Sequence, residues 1–194
     1  MKKRHLITCP IFAKELAAVL SEIIPAPSVQ LMDYRVHHRA KIMEKELARG
    51  IEVAEGEGAA ISILVGRKCE ALQPLSDIAA SCGALLAEGH NCIDIILGRE
   101  RARELQGNRS TVMTPAWIEM INNSIADGYW TVEDARINLG RYDRIILLDS
   151  GLAPLDDEII LEFFELTRVP IEVHPISLDH FRVVVSKLLA KSEE

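Results

Sequence analysis

A histidine and a cysteine stand two residues apart in "GHNC", Gly89 to Cys92. Imidazole nitrogen and thiolate sulfur are donors for zinc and for iron–sulfur clusters, and a thiolate also attacks electrophiles. The chain holds four cysteines, Cys9, Cys69, Cys82 and Cys92, and no Cys-x-x-Cys. Ligands would therefore be gathered from separate loops, as in a catalytic or cofactor site.

Apolar runs with strand character alternate with helical patterns. The runs are "HLITC", "SVQLMDY", "AAISILVG", "GALLAEG", "STVMT", "YDRIILLDSG" and "VPIEVHPI". Between them, "PIFAKELAAVLSEII", "HHRAKIMEKELARGIEVAE", "QPLSDIAAS", "CIDIILGRERARELQG", "TPAWIEMINNSIADG", "TVEDARINLGR", "LDDEIILEFFELT" and "SLDHFRVVVSKLLAKS" read as helices. Gly98 weakens the fourth of these, and Thr114, Pro115 and Gly128 bracket the fifth as N-cap, first helical residue and stop. Such alternation predicts one α/β domain over residues 1–194, with a mostly parallel sheet and helices on both faces, a Rossmann-like three-layer sandwich.

In a parallel sheet the carboxyl ends of the strands share one edge, and ligands bind in the crevice outside it. Cys9 follows the first strand, Cys69 the third and Cys92 the fourth, so three thiols are expected on one rim. Their convergence depends on strand order, which the sequence leaves open. Each also opens, or nearly opens, a helix, where the positive end of the dipole favours a thiolate. His90 adds a nitrogen, and Asp94, four residues on, could orient its imidazole. Three cysteines and a histidine suit tetrahedral zinc, or an iron–sulfur cluster with one unusual ligand or an open iron. Plain packing of buried thiols is the competing account, and it is the one adopted for Cys82, which precedes its strand.

Other residues could serve the same rim. His37 opens the second helix at the mouth of the second strand. Arg67 and Lys68, beside Cys69, could hold an anion or lower the thiol pKa. Asp149 ends "RIILLD" and could bind a cation or a hydroxyl, or simply shape a turn. Trp117, in a first helical turn, could line a cleft. The "RERAR" cluster reads as a solvated face, and "EIILEFFEL" as core or a dimer contact.

The segments "HNCIDIILG", "TPAWIE" and "LGRYDRIILLDSGL" resemble a bacterial and archaeal family catalogued as domain of unknown function 1638. The likeness runs from "ITCPIFAKEL" to "VPIEVHPISL". Its pattern maps onto Cys9, Gly66 with Cys69, His90 with Cys92, Leu97 with Gly98, Trp117 with Ile118, and His37. The chain departs from it at Arg67 and Lys68, where members more often carry small or neutral residues, at Asn91 in place of an acid, and at Ala116 in place of glycine. The resemblance implies a role in one-carbon or methyl-transfer metabolism, with a corrinoid protein or methyltransferase as partner.

Composition bounds the alternatives. The chain has 194 residues, 48% hydrophobic and 26% charged, which suits a soluble globular protein. A formal net charge of −7 disfavours nucleic acid and anionic membranes as partners. "MKKRH" imitates the start of a signal peptide, but "LITCPIF" is too short an apolar core and runs into Lys14 and Glu15, so a cytoplasmic protein with reduced thiols is expected. No dinucleotide fingerprint, Walker loop, Gly-x-Ser-x-Gly elbow or cobalamin-binding Asp-x-His-x-x-Gly occurs, so the chain is not expected to carry the corrinoid itself. Three readings remain. One is a zinc or iron–sulfur protein using Cys9, Cys69, Cys92 and His90, as enzyme or accessory factor. The second is a metal-free module binding a small anionic metabolite through Arg67, Lys68 and Asn91. The third is a thiol enzyme with Cys92 or Cys69 as nucleophile and His90 as base.

Overall fold

The structure, a computed structural model, describes residues 3–107, 109–152 and 155–190. The basic "MKKRH" start lies partly outside the described residues, as do Lys191 and Ser192 of the closing helical segment.

In chain order the elements are β1 (Arg4–Thr8), a 3-10 turn at Pro10–Phe12, α1 (Ala13–Leu20), β2 (Ser28–Leu31), a second 3-10 turn at Tyr34–His37, α2 (Ala40–Gly56) and β3 (Ala60–Leu64). Then come α3 (Leu75–Ser81), β4 (Leu85–Leu86), α4 (Cys92–Leu97), α5 (Arg99–Gln106), β5 (Ser110–Met113) and α6 (Pro115–Ala126). The last are α7 (Val132–Leu139), β6 (Arg144–Asp149), α8 (Asp157–Thr167), β7 (Ile171–Pro175) and α9 (Asp179–Ala190). Every apolar run read as a strand forms one. The helical stretch from Cys92 to Gly107 does not run through. Gly98 adopts φ 82°, ψ 150°, which leaves the helical region and separates α4 from α5.

This is an α/β protein in which every strand pairing is parallel and helices pack around the sheets. The strands form two sheets, in the orders β2-β1-β3-β4 and β5-β6-β7. β4 offers β3 only two residue pairs, Ser62 with Leu85 and Ile63 with Leu86. Such a short edge gives a further strand little to pair with, and β5 starts a new sheet.

The chain divides into two compact units, one from the start through Gly98 together with α9, the other Arg99–Ser177. In the first, Leu6, Ile7, Ile63 and Leu64 from the two central strands are all but inaccessible. Met43 and Leu47 of α2 are buried with them. α9 sends in Phe181, whose ring stacks on Phe12 with centroids 5.4 Å apart. This stacking fixes the loop that follows β1, where Cys9 lies.

In the second unit, Ile145 to Leu148 of β6 form the buried centre, with Ile118 and Ile121 of α6. α7 starts with a capping box, Thr131 and Asp134 each bonding the other's backbone N–H. Asp156 caps α8 by accepting from the N–H of Ile159 at 2.8 Å. Thr114 does precede α6, but its hydroxyl makes no cap bond. Among the described residues no helix is long and apolar enough to cross a membrane.

Candidate thiol–imidazole site

The order β2-β1-β3-β4 decides what meets at the carboxyl edge of the first sheet. From β1 the chain passes through α1 to β2 on one side, and from β3 through α3 to β4 on the other. The point between β1 and β3 is therefore the topological switch, where open parallel sheets leave a crevice for ligands. Cys9 leaves β1 and the Gly66–Cys69 turn follows β3, so both flank that point.

Cys9 is held in extended backbone before the first 3-10 turn, with its N–H directed to the Leu64 carbonyl at 3.4 Å. Its side chain is buried, only 4% exposed. The Sγ lies 3.1 Å from Nε2 of His37. His37 arrives there because β2 is the neighbour of β1: Met32 N–H donates to Thr8 O at 2.9 Å just beyond the paired strands. Asp33 then caps the following turn by accepting from Arg35 N–H at 2.9 Å, and it also binds the Arg35 guanidinium. His37 was expected to open α2. It instead closes this separate turn, and α2 begins at Ala40, because the Asp33 cap winds the chain before the helix can start.

The other two thiols ride on a pair of turns tied back to back. Arg67 N–H donates to Gly89 O and Lys68 N–H to His90 O, both at 2.9 Å. A Cβ on Gly66 would fall 2.5 Å from the Asn91 Cα and 2.7 Å from the His90 carbonyl oxygen, so only glycine permits this approach. Cys69 was expected near a helix start. It completes the tight turn instead, its N–H bonded to Gly66 O at 2.9 Å, and α3 begins only at Leu75, after Pro74. Cys92 does begin a helix, as expected. Asn91 caps it, Oδ1 accepting from Asp94 N–H at 2.9 Å. Asp94 is buried and accepts the His90 backbone N–H at 3.0 Å. It therefore holds the turn rather than the His90 imidazole. A carboxylate in the first helical turn points back at the open amides.

Charge on Cys69 or Cys92 would disfavour charge on Cys9. Burial pushes the Cys9 thiol well up; the Ile11 backbone opposes this, and the sulfurs of Cys92 and Cys69 add to it. Burial also raises Cys69, offset in part by the Gly66 backbone. Burial brings His37 down to about 4, helped by the charge of His38, so its ring is neutral at physiological pH. Among the described residues no three His, Cys, Asp or Glu side chains already stand as a ready metal-holding group. The cysteines are free thiols.

The remaining sequence candidates separate. Arg67 turns its Nε to the Ala87 carbonyl at 3.1 Å and so braces the paired turns; both it and Lys68 are exposed. Cys82 donates to the α3 carbonyls of Ile78 and Ala79, on the side where its strand begins. Asp149 and Trp117 belong to the other unit. Asp149 shapes a turn, accepting from Gly151 N–H at 2.8 Å, and Trp117 is half-buried in the first turn of α6. Sequence reasoning gave His37 an outer role. Its signal was the position after β2, legible only once β2 is known to lie beside β1.

Fold and site together define a parallel α/β protein with a paired thiol and imidazole, Cys9 and His37, at the carboxyl edge of a four-stranded sheet. The family described as Protein of unknown function (DUF1638) matches residues 31–185, and the chain belongs to it. The match takes in His37, Cys69, His90 and Cys92 and begins after Cys9. Neither curated proteins nor solved structures yield a match.

Proposed function

We propose that the first unit binds a zinc ion or an iron–sulfur cluster at the carboxyl edge of its sheet, through Cys9, Cys69, Cys92 and an imidazole, and serves corrinoid-linked one-carbon or methyl-transfer metabolism. The observation that carries this reading is the pair Cys9 Sγ and His37 Nε2, 3.1 Å apart beside the switch point. The donor chemistry fits: three soft sulfurs and one neutral nitrogen are the ligands zinc and iron–sulfur clusters take. The tied turns supply Cys69 and Cys92 from the adjoining strands. His37 is the favoured nitrogen donor, because its Nε2 lies 3.1 Å from Cys9 Sγ. A bound centre of this kind supplies Lewis acidity and an activated thiolate, chemistry suited to a methyl group. The chain's own part is to gather the donors and to keep water from Cys9. The methyl-transfer setting and a corrinoid protein or methyltransferase as partner come from the family resemblance.

The two other readings have less support. The thiol-enzyme reading has Cys92 or Cys69 as nucleophile, and burial, by raising the Cys69 thiol, opposes a thiolate near neutral pH at the second of these. In the anion reading Arg67 is anchored through Nε to the Ala87 carbonyl and Asn91 through Oδ1 to the Asp94 N–H, so their remaining N–H groups would be the donors.

The test is metal and acid-labile sulfide content of protein purified without oxygen and reconstituted with iron and sulfide or with zinc. Stoichiometric metal in the wild type, lost in Cys9→Ser and His37→Ala and kept in His90→Ala, is the expected result. Retention in His37→Ala with loss in His90→Ala would move the fourth donor to His90. No metal in the reconstituted wild type would end the reading.

A further inference from the structure

The second unit carries an apolar stripe that neither its core nor the thiol site uses. Along α8, Ile160, Leu161 and Phe164 line a groove completed by Ile171 of β7, with Asp157 at one end. The helix buries Phe163 and Thr167 inward, while Leu161 stays 56% and Phe164 37% exposed. β7 is one of the two edge strands of its sheet, and Val173, two residues from Ile171 and so on the same face, is 41% exposed. The positions 157, 160, 161 and 164 are the spacing at which one helix presents a continuous face to another.

The charge around this groove has one dominant sign. Asp157, Glu158, Glu162 and Glu165 lie on α8, which contains no lysine or arginine. Among the described residues none of these four carboxylates forms an ion pair. Asp156 is already spent on the helix cap. The basic groups lie at the far end: Arg168, the left-handed residue that ends α8, and Arg136 of α7, which donates to the Leu166 and Glu165 carbonyls. A second copy of this chain, set face to face on the groove, would bring carboxylates against carboxylates, which costs affinity. A partner with the opposite sign gains contact energy from the floor and steering from the rim.

We propose that the α8–β7 groove is a docking site for an amphipathic helix of a partner protein, its apolar anchors over Leu161, Phe164 and Ile171 and its lysines or arginines against Asp157, Glu158 and Glu165. This surface belongs to the second unit and the thiols to the first, and its test is independent of any metal. The probe is a labelled synthetic helix with leucines at one-face spacing and lysines on the flanks, titrated into the full chain and followed by anisotropy. A glutamate-flanked twin and a scrambled peptide serve as controls.

Saturable binding of the lysine peptide is expected, weakening as salt rises. The double variant Leu161→Ser, Phe164→Ser, checked as folded by its thermal midpoint, should bind about 10-fold or more weakly, the loss expected of interface anchors. Glu158→Lys with Glu165→Lys should transfer the preference to the glutamate peptide. Absence of saturable binding at millimolar peptide, or equal binding of the scrambled peptide, would overturn the proposal. So would a dimer in sedimentation that the serine double variant dissociates, since a second copy would then be the occupant.

Discussion

Gly66 and Asn91 meet backbone to backbone, so close that a Cβ on Gly66 would come 2.5 Å from the Asn91 Cα. The contact joins the turn after β3 to the turn after β4. Two further bonds, from Arg67 to Gly89 and from Lys68 to His90, secure it. Cys69 leaves one turn and Cys92 leaves the other. The spacing of these two thiols therefore depends on a residue that carries no chemistry.

Replacing Gly66 by alanine should be among the most damaging small changes in the first unit. The obstacle is backbone, which cannot rotate away, so the turns must part. Overpacking of this kind costs about 1–3 kcal/mol. The urea midpoint of Gly66→Ala should fall accordingly, and Cys69 and Cys92 should react faster with iodoacetamide. An unchanged midpoint would show that the turns part freely.

Asn91→Ala removes the cap that accepts from Asp94 N–H. The expected loss is about 1 kcal/mol, typical of an N-cap, and Asn91→Asp should restore most of it. Denaturant unfolding of the three proteins settles the order.

Alkylation should distinguish the thiols. Cys9 is 4% exposed and its burial pushes its pKa up, so it should react last. Cys69, Cys82 and Cys92 are half-buried and should be modified first. In metal-loaded protein Cys9, Cys69 and Cys92 should all be protected, leaving Cys82 reactive. Time-resolved mass spectrometry of the intact chain reads both patterns. Early loss of Cys9 in the apo protein would contradict its enclosure.

Acid should weaken the first unit through His5. Its Nδ1 lies 2.8 Å from Ser28 Oγ, which itself donates to Arg4 O at 3.2 Å, so Nδ1 carries the hydrogen. Nε2 is buried without a hydrogen-bond partner among the described residues. Burial lowers the His5 pKa below 6.5, with Glu57 pulling the other way. The unfolded chain thus takes up a proton at a higher pH than the folded one. Stability from this group is complete above pH 6.5 and is lost as pH falls below that value. His37 acts in the same sense. Urea midpoints from pH 7 to 5 should drop in the wild type and drop less in His5→Asn; equal slopes would remove His5 as a cause.

Much of the architecture was legible beforehand because it is local. Alternation of strand and helix patterns, Pro115 as a first helical residue, and apolar runs such as "AAISILVG" are properties of short windows. The family pattern around "GHNC" and "LGRYDRIILLDSGL" is equally local. The break at Gly98 was only half legible. Glycine is tolerated in many helices, and the residue adopts φ 82° here where a right-handed turn could not continue.

The residues alone determined that thiols would follow β1, β3 and β4 and lie on one edge if the strands ran parallel. Tertiary structure decided which groups share that edge at close range. Apolar runs of similar composition do not encode their neighbours, and parallel pairing joins segments far apart in the chain. Only the order β2-β1-β3-β4 sets His37 beside Cys9, while His90 lies on a turn bonded to the one that follows β3. Likewise, Asp94 was readable as a partner of His90, but the helix cap directs its carboxylate to the backbone amide. Side-chain chemistry is written residue by residue; which side chains meet is settled by long-range strand pairing and by the few positions, such as Gly66, where two backbones can touch.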